Sequence, residues 1–495
     1  MTDATVIDRS RDLSQPLDRL GPDESMKDRS DYLRGTIATG LLDRITGSVP
    51  SADDVKLMKF HGIYQQDDRD LRDERRRQKL EPAYQFMIRV RLPGGVCTPA
   101  QWLMLDELAR EHGGQTLRIT TRQTFQFHWV LKDSLRPIIQ GLHETLLDTV
   151  AACGDDSRGV MCTVDPQSSR FHAEVSAMAK RVSDHVIPKT RAYHEIWYGS
   201  ERVAGSEPEE PFYGRTYMPR KFKIGFALPP SNDLDVYAQD LGFIAIGGDE
   251  GLEGFNVVIG GGMGRTDQAP ETYPRLASLI GFVPADRVTA CADAVMAVQR
   301  DYGDRKDRQH ARFKYTIDDK GLDWIKAEIE SRMGAPFEEA RPYTFTSNGD
   351  SYGWNTTPDG RHHRTLVIEN GRLDLKLLDA LRDVARVHRG AFRLTPNQNV
   401  IIAGVRTEDR PAIDAILAEH LPDVDRFSVL RRNAISCVAL PTCGLAMAES
   451  ERYLPTLLDK IEAILADNGL SDQPITIRMS GCPNGCSRPY IAEIG

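Results

Sequence analysis

Four of the eight cysteines fall in two close pairs near the end of this 495-residue chain. Cys437 and Cys443 stand at a C-x5-C spacing in N-A-I-S-C-V-A-L-P-T-C-G, and Cys482 and Cys486 at C-x3-C in M-S-G-C-P-N-G-C-S-R-P-Y. Thiolates are soft ligands for iron or zinc, so four of them at one place would make a metal centre. The elements around them suit that task. Residues 435–440 form one strand-like apolar run, and Ile475, Ile477 and Met479 alternate with polar residues before the second pair. Between the runs a helical pattern places Leu454, Leu457, Leu458, Ile461, Ile464 and Leu465 on one face, and Asn468-Gly469 stops it. Two strand ends joined in this way can deliver both pairs to one place. Residues 444–451 have helix-forming composition, so a helix N-terminus favouring thiolate is expected just after Cys443.

Three kinds of thiol chemistry compete for the quartet. Disulfides are disfavoured, because a long chain without a secretory signal is expected in a reducing compartment. Structural zinc prefers C-x2-4-C knuckles, which suit neither the x5 spacing nor the Pro-Asn-Gly insert. An iron–sulfur cube spreads its four ligands further apart than one ion does and tolerates looser spacing. The cluster is the favoured reading and zinc the alternative. Cys97, Cys153, Cys162 and Cys291 read as buried thiols.

Upstream lies a strand–helix–strand unit. In Y-Q-F-M-I-R-V-R-L-P-G-G, Phe86, Ile88, Val90 and Leu92 share one face, while Met87, Arg89 and Arg91 share the other. Thr98-Pro99 opens a helix that Gly113 closes. The run L-R-I-T-T-R-Q-T-F-Q-F-H-W, if extended throughout, aims Arg118, Thr120, Arg122, Thr124, Gln126 and His128 one way, with Leu117, Ile119, Phe125, Phe127 and Trp129 opposite. So polar a face, with two arginines, suits carboxylate binding. The unit recurs: A-F-R-L-T-P-N-Q-N-V-I-I at 391–402 matches T-L-R-I-T-T-R-Q-T-F-Q-F at 116–127, with Arg393, Thr395 and Gln398 repeating Arg118, Thr120 and Gln123. Duplication around a long insert predicts a pseudo-symmetric domain with a cleft at the shared axis.

The insert, 151–345, reads as an α+β domain with helices at 171–186, 286–300 and 322–333. Arg158 sits in the turn C-G-D-D-S-R-G-V-M-C. In Y-M-P-R-K-F-K-I-G-F, Lys221 and Lys223 share a strand face, where two ammonium groups repel unless an anion lies between them. F-N-V-V-I-G-G-G-M-G at 255–264 lacks the G-x-G-x-x-G register of a dinucleotide loop. Its glycines are expected to allow close backbone approach to a flat cofactor. Nothing else reads as an NADPH or flavin site, so electrons are expected from a partner protein.

At 55.4 kDa with 40% hydrophobic and 27% charged residues, the chain is an ordinary globular one with room for two or three cores. A net charge of −9 argues against general nucleic-acid binding, so any anion site must be a local cluster of Arg and Lys. No apolar run suits a membrane span and no signal core opens the chain, which makes the cytoplasm the default. Residues 1–50 read as a mobile polar arm, and the charges of 72–79 as a solvated helix face.

The text C-V-A-L-P-T-C-G-L-A-M-A-E followed by G-C-P-N-G-C resembles the siroheme-containing sulfite and nitrite reductases, from about Tyr32 to the last residue. The resemblance implies a 4Fe–4S cluster on Cys437, Cys443, Cys482 and Cys486, with Cys486 also bridging to siroheme. It implies that Arg89, Arg158, Lys221 and Lys223 hold the substrate anion. Siroheme is ringed with carboxylates, so Arg118, Thr120, Arg122, Gln126, His128, Arg220, Arg393 and Asn397 are carried over as its binding residues. H-G-I-Y-Q-Q-D-D-R-D is similar to the branch whose hemoprotein subunit works with an NADPH-oxidising flavoprotein, which implies partner contacts for 1–80. The implied reaction is the six-electron reduction of sulfite to sulfide. The family's nitrite branch tends to carry a neutral residue at the second lysine, so Lys223 favours sulfite. The expected fold is α+β: ferredoxin-like half-domains at 81–150 and 346–424, a siroheme and substrate domain at 151–345, and a cluster domain at 425–495. Family members continue past the last cysteine motif, so that last domain is expected to lack its C-terminal part.

Overall fold

Each copy of the repeated unit builds a five-stranded sheet, and each sheet finishes on a strand lent by the other copy. In the computed structural model, which describes residues 19–164, 169–189, 195–198, 201–205 and 210–495, the first sheet runs Ile63–Asp67, Tyr84–Arg89, Phe125–Val130, Leu117–Ile119 and Arg372–Leu373. The second runs Gly353–Thr356, His362–Leu366, Val400–Val405, Ala391–Leu394 and Val96–Cys97. Leu373 pairs with Leu117, and Cys97 pairs with Phe392. The crossing needs left-handed backbone at Gly95 (φ 70°) and Gly371 (φ 71°), each followed by the lent strand. A Cβ on Gly95 would lie 2.7 Å from the Leu394 carbonyl oxygen, so a side chain there would push the copies apart.

The run from 117 to 129 is not one strand. It folds back at 120–124, where Thr120 N–H donates to the Thr124 carbonyl at 2.9 Å and Gln123 takes φ 55°. Leu117, Arg118 and Ile119 then face Phe127, Gln126 and Phe125. The second copy turns in the same way, Thr395 N–H to Asn399 O at 2.9 Å with Gln398 at φ 69°. The reason is local: the polar stretch T-T-R-Q-T has no apolar residue to keep either face buried, and a turn satisfies its backbone.

Helix Pro99–Glu111, opened by a capping box on Thr98, and its counterpart Leu375–Val387 close one core over both sheets. Trp102 fills the centre, edge-on to Phe125 and against Phe392. Phe86, Ile88, Val90 and Leu92 all enter this core, as their alternation predicts.

The insert's sheet runs Ser278–Pro284, Gly251–Ile259, Leu241–Gly248, Ile224–Ala227 and Met161–Cys162. Helices Arg170–Val186, Val288–Tyr302 and Leu322–Met333 lie within two residues of their expected bounds and bury their apolar faces in a second core.

From residue 19 onward the N-terminal segment is built into the body. Helix Pro22–Asp28 sinks onto the insert: Lys27 is fully buried, its Nζ donates to the Met218 carbonyl at 2.9 Å and pairs with Glu24 at 2.6 Å. The polar text, rich in Asp, Arg and Ser, that suggested a mobile arm supplies interior ion pairs instead from residue 19 onward. Residues 1–18 lie outside the described residues.

Near the C-terminus, strands Ala434–Ser436 and Ile477–Met479 pair in parallel across helix Leu454–Asp467, around Leu430, Leu454, Leu458 and Ile477. Among the described residues no helix is long and apolar enough to cross a membrane.

Candidate active site

The parallel strand pair does what the two cysteine motifs require. Both strands point the same way, so the loops carrying both thiol pairs leave from one end. Cys437 N–H donates to the Met479 carbonyl at 3.0 Å, and Gly481 N–H donates to the Cys437 sulfur at 3.2 Å. Burial pushes the Cys443 thiol up to about 11, with Cys486, Cys482 and Cys437 each adding to the rise. Burial, then Cys486, likewise raises Cys437. The four thiols therefore feel one another. Yet among the described residues no three Cys, His, Asp or Glu side chains converge tightly enough to ligate a single metal ion. A cube takes its four ligands further apart than a single ion does.

The helix expected after Cys443 is absent, because its backbone groups are taken from outside. Arg69 donates to the carbonyls of Cys443 and Ala446, and the amides of Met447 and Ala448 donate to Gly481 O at 2.8 and 3.1 Å. Residues 444–451 hook around the second cysteine loop, and the helix begins only at Leu454.

Two carboxylates, the half-buried Glu451 and the buried Asp235, clamp these loops. Glu451 bridges Arg118 (2.8 Å) from the first copy and Arg372 (2.6 Å) from the second, while Arg118 also donates to the Ser436 carbonyl at 2.9 Å. Asp235, from the insert, holds Arg478 at 2.6 Å and Arg488, the residues flanking the second pair. Thr121, at the tip of the first hairpin, donates to the Cys486 carbonyl at 3.1 Å and accepts from Arg488 through its own carbonyl at 3.2 Å.

A cavity of about 1070 Å³, part of it open to solvent, lies where that hairpin tip, the insert and the second cysteine pair meet. Cys486 reaches its wall, and so do all four residues expected to hold the substrate: Arg89, Arg158, Lys221 and Lys223. Thr120, Arg122 and Arg220 line it as well. Arg158 N–H pairs with the Phe222 carbonyl at 2.8 Å, which sets the 152–158 turn beside the two lysines. Burial drives both ammonium groups well below the ordinary lysine range, Arg220 and Lys223 pressing further on Lys221, and Arg312 and Arg122 on Lys223. Among the described residues neither has an ion-pair partner. Such crowding is relieved either by loss of protons or by an anion held among the cations. A polyanionic macrocycle fits this cationic lining, and Cys486 on the wall is a donor that could serve its metal.

The remaining expected cofactor ligands do not line the cavity. Arg118 is spent on Glu451 and Ser436. Gln126 is buried against the Met87 sulfur at 3.4 Å, and His128 is buried with neither ring nitrogen hydrogen-bonded among the described residues. Burial, with Arg372 and Arg118 nearby, keeps that imidazole neutral. Arg393 is buried in the second hairpin, and Asn397 donates to Asp350 and to the Asn348 carbonyl, each at 3.0 Å. For the first copy the fold-back at 120–124 is the cause, since it brings only the hairpin tip to the cavity.

Sequence reasoning missed Arg265, Arg312 and Arg488 on the cavity wall, and the clamps Asp235 and Glu451. No spacing announces them, although Arg488 sits two residues past Cys486. Gly264 of the glycine run lines the cavity, and the run also holds the neighbouring loop. A Cβ on Gly264 would meet the Asn484 carbonyl at 2.9 Å, and Arg265 N–H donates to Pro483 O at 3.0 Å, so the loop seats the second cysteine motif.

Comparison with known proteins agrees with this geometry. The chain matches the nitrite/sulfite reductase ferredoxin-like half domain over residues 77–145 and 355–420, the two repeated units, and the nitrite and sulphite reductase 4Fe-4S domain over 177–337. It is 70% identical over 490 residues to the sulfite reductase (NADPH) hemoprotein beta-component of Nitrosomonas europaea, covering 99% of this chain and 85% of that protein. The protein of the same name from Geobacillus kaustophilus is 58% identical, over 95% of this chain and 84% of that one. The solved structure of the Mycobacterium tuberculosis NirA protein superposes with a TM-score of 0.78 at 26% identity, over 96% of this chain and 83% of that one. With the repeated halves, the shared architecture and relatives this close over nearly its whole length, the chain belongs to the nitrite and sulfite reductase family.

Proposed function

We propose that this chain is the hemoprotein component of an assimilatory sulfite reductase, catalysing the six-electron reduction of sulfite to sulfide with electrons from a separate NADPH-oxidising flavoprotein. The observation that carries the reading is one cavity in which Arg89, Arg158, Lys221 and Lys223 converge beside Cys486. When bound, siroheme coupled to a 4Fe–4S cluster supplies an open iron site and single-electron delivery. Cys437, Cys443, Cys482 and Cys486 would hold the cluster, Cys486 reaching toward the siroheme. Arg122, Arg220 and Thr120 would take siroheme carboxylates.

The chain's own part is electrostatic and protonic. The four cations offset the charge of the oxyanion in a partly closed cavity, where each is worth more than in water. Lys221 and Lys223, held below the ordinary lysine range, give up a proton more readily than exposed lysines do, which suits them to protonating departing oxygens. The segments of 1–80 beyond the packed helix remain the proposed partner face, and free cysteines throughout accord with the cytoplasm.

The test is an absorption spectrum of the purified protein, read for siroheme and cluster bands, with sulfite and nitrite turnover compared using a reduced dye. Both sets of bands and a preference for sulfite are expected. Colourless protein holding zinc, or a clear preference for nitrite, would overturn the proposal.

A further inference from the structure

We propose that Gln239 is a positioning residue for siroheme, its side-chain amide aiming Arg122 into the cavity toward a carboxylate of the ring. The inference rests on the reading that Arg122 takes such a carboxylate. Both residues line the cavity. Arg122 Nη1 donates to Gln239 Oε1 at 3.0 Å, and its Nη2 donates to the Gly159 carbonyl at 2.7 Å. Gln239 is buried, and its Nε2 donates to the Leu234 carbonyl at 3.1 Å. That bond settles which end of the amide faces the arginine, because the nitrogen is already engaged. Packing holds the side chain there: a Cβ on Gly225 would stand 3.1 Å from Gln239 Cγ.

The backbone of Gln239 is tied down as well. Its N–H donates to the Val236 carbonyl at 3.2 Å, and its carbonyl accepts from Gly261 N–H at 2.8 Å. The same turn begins at Asp235, which holds Arg478 and Arg488 around the second cysteine pair. One turn, 235–240, therefore grips the cysteine loop at one end and the tip of the first hairpin at the other. It sets where Arg122 meets the ring relative to Cys486.

Arg122 is held without being neutralised. Arg312 and Arg488 on the same wall donate to carboxylates, Asp240 at 2.9 Å and Asp235. The two guanidinium hydrogen bonds of Arg122 go to an amide oxygen and a backbone carbonyl. Burial and then Arg158 lower its pKa to about 9, with Arg488 and Arg89 adding to the fall and Asp240 opposing it. Its charge is left for an incoming anion.

The experiment titrates siroheme into the full chain produced without it and follows binding by absorption. Gln239→Ala should weaken binding about five- to tenfold, with acid-labile sulfide unchanged. Gln239→Glu should weaken it at least as much, since a carboxylate beside Arg122 spends the charge meant for the ring. In an Arg122→Ala background, Gln239→Ala should change binding by less than about twofold, because the residue acts through that arginine. Unchanged binding in Gln239→Ala would overturn the inference. So would a full further loss in the double variant, or loss of acid-labile sulfide from both Gln239 variants, either of which marks a structural role. Unchanged binding in Arg122→Ala alone would instead overturn the reading of Arg122 as a siroheme ligand.

Discussion

Gln123 and Gln398 occupy equivalent positions in the two copies, and each reaches into the other. Gln123 Nε2 donates to the Leu394 carbonyl at 3.1 Å, and Gln398 Nε2 donates to the Ile119 carbonyl at 3.3 Å. Each side-chain amide oxygen has a duty of its own. Gln123 Oε1 accepts from Cys162 N–H at 3.0 Å, where the insert begins its sheet. Gln398 Oε1 accepts from Ser436 N–H at 3.1 Å, one residue before the first cluster cysteine. The pair that joins the halves also ties on the two units that carry the chemistry.

Replacing either glutamine by alanine leaves fully buried backbone groups unpaired and should cost about 2–4 kcal/mol. Chemical denaturation measures this. Gln398→Ala should also lower iron content, because Cys437 loses its anchor, whereas Gln123→Ala should not. Equal iron in both variants would contradict that asymmetry.

Asp235→Asn removes the charge that holds both arginines flanking the second cysteine pair. Breaking a buried ion pair from one side costs about 3–5 kcal/mol, all of it local to the cluster loop. Iron and acid-labile sulfide should fall by more than half while the far-ultraviolet circular dichroism is kept. Retained iron would mean the arginines find other partners.

Sulfite affinity should fall as pH rises, and sooner than exposed lysines would dictate. The ammonium form attracts the anion, and in Lys221 and Lys223 it is lost well below the ordinary value of 10.5. The sulfite KM should therefore climb on the alkaline side, and Lys221→Arg should move that limb to higher pH. A KM flat to about pH 10 would show that these groups stay charged or do not touch substrate.

Lys223→Gln should lower sulfite kcat/KM by about 10–100-fold and nitrite kcat/KM by less, shifting the preference between them. A lysine whose pKa is depressed in the fold costs stability below the unfolded value of 10.5, and the cost grows as pH falls until the folded pKa is reached. Without cofactors, Lys223→Met should therefore melt about 2–4 °C higher near neutral pH. A lower melting temperature would mark Lys223 as structural.

Much of the fold lay in local pattern. Period-two alternation placed Phe86, Ile88 and Val90 in the core, and period-3.6 runs placed helices Arg170–Val186 and Leu454–Asp467. The cysteine spacings, with the strands before them, were enough to bring two thiol pairs to one end of a parallel pair. Tertiary contact decided what local pattern could not carry. The turns at 120–124 and 395–399 depend on where backbone amides find partners, and they set Arg118 against Glu451 and Asn397 against Asp350. The clamps Asp235 and Glu451 grip arginines far away in sequence, at separations of 243 and 333 residues. A buried charge is tolerated only where another element supplies its partner, and that meeting exists only once the chain has folded.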